Sequence, residues 1–138
     1  MRSANAKLSK LFYACIYFML PEIKKLYPDN PEPGVEEFKN IISGKSFILE
    51  QIKSFGEVSE EGFWFDQRKK EWAALIQGEV TLEFEDGVLE LVAGDALIFE
   101  PHQKHRITKS SVNAVWLALH FENDESQIQP IAGSAGTR

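Results

Sequence analysis

Residues 71–100 read EWAALIQGEVTLEFEDGVLELVAGDALIFE, and this stretch decides the fold. Within it Val80, Leu82 and Phe84 alternate with Thr81, Glu83 and Glu85, the period of a half-buried strand. Asp86-Gly87 then predicts a two-residue primed turn. Such a turn pairs Glu85 with Val88, Phe84 with Leu89 and Leu82 with Leu91, gathering the apolar side chains on one face. It also sets Glu83 opposite Glu90, a like-charge contact tolerable only in water. Gly94-Asp95 marks the next reversal, into Ala96–Glu100.

Working outward, the same period predicts strands at 46–55, 62–67, 71–77, 79–85, 88–92, 96–100, 105–109 and 112–121. The last is apolar on both faces, so it should lie between two covered surfaces. Eight short strands with Gly-rich turns imply a sandwich or jelly-roll barrel. Upstream, Glu36–Ser43 is expected to be a short helix burying Phe38, Ile41 and Ile42 and stopped by Gly44. Asp29-Asn30-Pro31-Glu32-Pro33-Gly34 is a break of turn formers.

Before that break Leu8, Leu11, Phe12, Cys15, Met19, Ile23 and Leu26 recur at helical spacing, interrupted by Pro21. Lys7 and Lys10 ahead of the apolar run Leu11–Leu20 imitate a secretory signal. That run is too short to span a bilayer, and no small-residue cleavage site follows it. The expectation is a helix packed on the barrel or on a second subunit, without a membrane role. The organisation read from sequence is thus a helical extension over 1–30, a β-barrel domain over 31–125, and a flexible, small-residue tail over 126–138.

With 138 residues, 43% of them hydrophobic and ten Phe, the chain can bury one core without staples. A net charge of −6 argues against nucleic acid, which needs a basic footprint. Cys15 is the only cysteine, so neither an intrachain disulfide nor a Cys-based zinc site is available. A reducing cytoplasm is the expected location.

Four groups of polar residues are candidates for chemistry. Glu71 shares a face with Ala73 and Leu75; an inward carboxylate must be paired, protonated or metal-bound, whereas a strand-end carboxylate simply reaches solvent. His105 turns inward with Ile107, and His102 stands three residues before it. Two imidazoles can share a metal ion, but at this spacing a solvated His102 and a hydrogen-bonded core His105 are the plainer reading. His120 follows Ala114, Trp116 and Ala118 on one face, where small residues leave room for a ligand or for a neighbouring strand. Trp64, Asp66 and Gln67 close the strand before Arg68-Lys69-Lys70, where Asp66 can pair with a surface base for little gain. The phosphate-cradling loops and recognisable Ser or Cys nucleophiles of known motifs are absent.

On these residues the chain resembles a single-domain cupin over roughly 46–121. In the first cupin motif, G-x5-H-x-H-x(3,4)-E-x6-G, Glu71 followed six residues later by Gly78 fits the second half, and Gly62 can supply the opening glycine with a shorter spacing. The second, G-x5-P-x-G-x2-H-x3-N, is met at Gly94 and His105. Trp64-Phe65-Asp66-Gln67, Glu71-Trp72, Gln77-Gly78, His102, His105-Arg106 and Trp116–Phe121 resemble a subgroup with WYDQ-like and HxxHR segments. The departures concern chemistry. The two histidines of the first motif are replaced, by Trp64 and Asp66 with the longer spacing or by Phe65 and Gln67 with the shorter. In the second, Glu100, His102 and Lys109 replace Pro, Gly and Asn. Of the family's three His and one Glu, only Glu71 and His105 carry over, so a three-histidine iron or manganese oxidase site does not transfer.

The resemblance implies an all-β cupin jelly roll (a double-stranded β-helix barrel) with an N-terminal helical extension. It implies a small polar ligand in the barrel, near Trp64, Asp66, Gln67, Glu71, His102, His105 and His120. A rebuilt divalent site of Glu71, His105 and His102, with His120 or Asp66 as substitutes, would suit zinc, nickel, manganese or iron. Proton transfer by the carboxylate and imidazole is one use of such a site. A non-catalytic sensing module and a metal-free structural homodimer are the alternatives, and homodimerisation is compatible with all of them.

Overall fold

The structure is a computed structural model and describes residues 20–122. Eight strands follow in order: β1 (Glu37–Ser43), β2 (Phe47–Lys53), β3 (Lys70–Gln77), β4 (Glu79–Phe84), β5 (Gly87–Val92), β6 (Ala96–Phe99), β7 (His105–Ser110) and β8 (Val115–Phe121). They form a five-stranded sheet, β1-β2-β8-β3-β6, and a three-stranded sheet, β5-β4-β7. All named pairings are antiparallel. The core lies between the sheets, built from Ala73, Leu75, Val80, Leu82, Leu91, Phe99, Ala114 and Trp116. As the two-faced apolarity of its sequence requires, β8 sits centrally, between β2 and β3.

Three expectations are corrected. Residues 37–43 form edge strand β1, not a helix. A seven-residue apolar run does not distinguish the two periods, and pairing with β2 decides it. Gly44 is not a helix stop but part of the β1–β2 turn, donating its N–H to Phe47 O at 2.9 Å, where a side chain would strike the Phe47 ring. Phe38 and Ile42 consequently stay exposed.

Residues 62–67 are not a regular strand. Phe65 alone bridges to His105, after a turn closed by Phe63 N–H on Glu60 O with Gly62 at φ 79°. The β4–β5 hairpin is shifted by two residues: Leu82 faces Leu89, Val80 faces Leu91 and Glu83 faces Val88. A shift of two preserves the faces, so the core is as expected. The new register moves Glu90 opposite Thr81 and leaves Glu83 to pair with Arg106 across β7, at 2.7 Å.

Most of the helical extension, residues 1–19, lies outside the described residues, as does the tail beyond Glu122. Residues 20–30 carry no helix. This last piece is tied down where Gln51 Nε2 donates to Leu26 O and Tyr27 Oη donates to Ile76 O at 3.4 Å. No helix among the described residues is long and apolar enough to cross a membrane.

Candidate functional site

One end of the space between the sheets is a cavity of about 130 Å³. Its polar wall is Glu36, Glu50, Gln67, Glu71, His105 and His120. Its apolar lining includes Phe38, Phe65, Phe99 and Trp116, and among the described residues no Lys or Arg lines it. Strand register assembles the polar set. Glu71, second in β3, lies directly across from His120 of β8 on one side and Phe99 of β6 on the other. Glu50 of β2 faces Ala118 one row deeper. That row continues through Ala73, so two small side chains leave the floor open.

Glu71 and His105 are 8% and 7% exposed, so each must find partners inside. Gln67 Nε2 donates to Glu71 Oε2 at 2.6 Å. His120 Nε2 meets Glu50 Oε1 at 2.7 Å, while its Nδ1 stands 3.7 Å from Glu71 Oε2. The result is a chain Gln67–Glu71–His120–Glu50 along the wall.

His105 is held differently. Its Nδ1 lies 3.0 Å from Gln103 O, and a carbonyl can only accept, so Nδ1 carries the proton. Phe99 stacks on the ring at 4.0 Å between centroids and Phe65 at 5.4 Å. Burial pushes the imidazole pKa down, opposed in part by the Gln103 carbonyl and the charge of Glu71. The neutral ring therefore offers its Nε2 lone pair as an acceptor or a base. At the rim, burial raises the Glu36 carboxyl. Its hydrogen bond from Ser54 opposes that rise, and the charges of Glu57 and Glu50 add to it.

The other expected residues lie elsewhere. Trp64 is half-buried beneath the Arg106 guanidinium, 4.8 Å from its ring centre. Asp66 Oδ1 binds His102 Nδ1 at 2.8 Å, with both side chains substantially exposed. His102 occupies the third position of the Glu100–Gln103 turn at φ 62°, a conformation that favours glycine. Its N–H donates to Gln67 O at 2.7 Å. His102 thus supports the loop carrying Gln67 and does not line the cavity.

The structure does not bring together the expected divalent set of Glu71, His105 and His102. Among the described residues no three His, Cys, Asp or Glu side chains are grouped to hold a metal ion. Glu36, Glu50 and Phe65 are cavity residues that the sequence reading missed. Glu50 had a signal, since it stands between Ile48 and Ile52 on the inward face of β2.

Residues 68–132 match the family described as AraC-like ligand binding domain. A proposed mannose-6-phosphate isomerase of Ralstonia eutropha is 30% identical, with a TM-score of 0.68 over 74% of this chain and 99% of that one. The chain is a small domain of the cupin fold. Two further cupin-like structures share the fold. KdgF from Halomonas is 19% identical, with a TM-score of 0.56 over 74% of this chain and 92% of its own. A cupin superfamily protein of Desulfitobacterium hafniense is 17% identical, with a TM-score of 0.54 over 75% and 100%. A comparison with curated proteins gives no match. Of the two spacings open for the first cupin motif, only the shorter puts both residues, Phe65 and Gln67, on the cavity wall.

Proposed function

We propose that this cupin domain binds a small polar molecule in the cavity between its sheets, with Glu71, Gln67, His105, His120 and Glu50 orienting it. The observation that carries the reading is a set of buried polar side chains interleaved with aromatic rings around an open space. Few precisely placed polar groups on a largely apolar surface are the usual composition of a small-molecule site. The space is comparable to the roughly 150 Å³ that accepts benzene in an engineered core, so the occupant is small. The AraC-like ligand binding description of residues 68–132 points the same way. The relative's proposed substrate, a sugar phosphate, fits less well, because among the described residues no Lys or Arg lines the cavity to meet a phosphate.

A divalent ion is not carried into this proposal. Phe65 has no ligand atom, and among the described residues His105 and Glu71 are not grouped with a third His, Cys, Asp or Glu. The test is titration of a small-molecule panel followed by imidazole nitrogen NMR. A true occupant moves His105 and His120 and leaves His102 unchanged. Shifts confined to His102, or to none of the three, refute the assignment.

Self-association is a second reading, favoured by one observation. Ile42, Leu49, Leu119, Trp72 and Ile98 are successive register partners across all five strands of the larger sheet. Ile42, Trp72 and Ile98 are 55%, 37% and 50% exposed, so this row presents hydrocarbon to solvent. Sedimentation of Ile98→Glu checks it: a dimer that becomes monomeric supports the row as an interface, and an unchanged species does not.

A further inference from the structure

The cavity's unspent hydrogen-bonding capacity is almost all of one kind. Gln67 gives one of its two amide N–H groups to Glu71, His105 gives Nδ1–H to Gln103 O, and His120 Nε2 meets Glu50. Beside the second Gln67 N–H, what remains are acceptors: the second oxygens of Glu71, Glu50 and Glu36, and His105 Nε2, for which the described residues provide no partner. His105 is more than nine-tenths buried and lines the cavity, so that lone pair is aimed at whatever occupies it. Three carboxylates line the space against one imidazole, His120, that sits between two of them. Aromatic rings border these polar groups, Phe99 beside Glu71 and stacked on His105, and ring faces attract cations.

We infer that the occupant is a small organic cation, a primary ammonium on a short carbon frame, with its N–H groups toward Glu71 and His105 Nε2. This rests on reading the cavity as a ligand site and specifies the charge of the ligand. An ammonium supplies three donors and no acceptor, the complement of what the wall leaves unmet. Its charge offsets the crowding of Glu36, Glu50 and Glu71; the Glu36 carboxyl is raised first by burial and then by the charges of Glu57 and Glu50. Its carbon frame packs on Phe65, Phe99 and Trp116. A carboxylate or phosphate ligand would meet like charge, and a neutral polyol would meet the acceptors without relieving it.

The test uses the full chain and three molecules of one shape: n-butylammonium, 1-butanol and butyrate, with xylitol as a neutral multi-donor. Binding is read near neutral pH from the His105 and His120 ring nitrogens. The proposal expects butylammonium to bind at least ~10-fold tighter than butanol, as for a charge-assisted contact in a partly dry site. Butyrate should not bind. Glu71→Gln should lower ammonium affinity about tenfold and leave butanol unchanged. Glu36→Gln, at the rim, should lower it less and serves if Glu71→Gln fails to fold. Butanol or xylitol binding as tightly as the ammonium, with the same histidine shifts, overturns the charge assignment and leaves the ligand site standing. No shift from any probe overturns both.

Discussion

The two ends of the barrel are built from the same faces of the same strands. On β3 the inward residues run Leu75, Ala73, Glu71; on β8 they run Trp116, Ala118, His120; on β2, Ile52 then Glu50. One end is hydrocarbon and the other is polar, yet the two are similarly buried: Leu75 is 0% exposed, Glu71 8% and His105 7%. The difference is therefore not depth but how burial is satisfied. At the closed end dispersion and area do it. At the open end paired polar atoms do it, with acceptors left over. A strand can thus support packing and chemistry on one face, separated by an alanine.

The comparison breaks most visibly at the closed end. Leu75→Ala should lower unfolding stability by about 3 kcal/mol in urea titration, because a fully buried side chain leaves a void. At the open end Glu50→Gln should cost less, about 1.5 kcal/mol, by weakening the charge-assisted bond to His120. Equal losses would mean that the ends do not differ in kind.

A third contrast is pH. His105 has a folded pKa below its ordinary 6.5, so below that value the unfolded chain takes up a proton that the folded one refuses. Stability should then fall as pH drops from 6.5 toward the folded value, by at most ~1.4 kcal/mol per pH unit for one site. His105→Phe should remove this slope, as measured by urea midpoints from pH 7.5 to 5.5. Glu36, whose carboxyl is raised, acts oppositely at lower pH: its protonation in the folded state relieves strain as pH falls toward 4.5. The smallest effect is outside the cavity. His102→Gly should change stability by less than about 0.5 kcal/mol, since relief of the positive φ offsets the lost Asp66 contact. A large loss would make His102 part of the site after all.

Much of this was legible in the alternation of residues 71–100, whose parity survives even the two-residue slip of the hairpin. His105 reads inward with Ile107, whereas the face that Glu71 shares with Ala73 and Leu75 leaves a solvent-reaching carboxylate open until burial decides it. What escaped was long-range. The partner of Glu83 is Arg106, 23 residues away, and the partner of His120 is Glu50, 70 residues away. Residues 37–43 read as helix because a short apolar run has no decisive period until β2 lies beside it. Phe65 carries no polar atom to attract notice, yet it stacks on His105.

Ala73→Leu tests the central claim most directly, because Ala73 lines the cavity and stands between the two ends. If the open end is a real ligand space, the added side chain fills it. Stability should then change by less than about 1 kcal/mol, and small molecules should no longer shift His105. If that end is packed like the other, overpacking should cost about 1–3 kcal/mol. That loss, with any probe-induced shifts of His105 unaltered, would contradict the account.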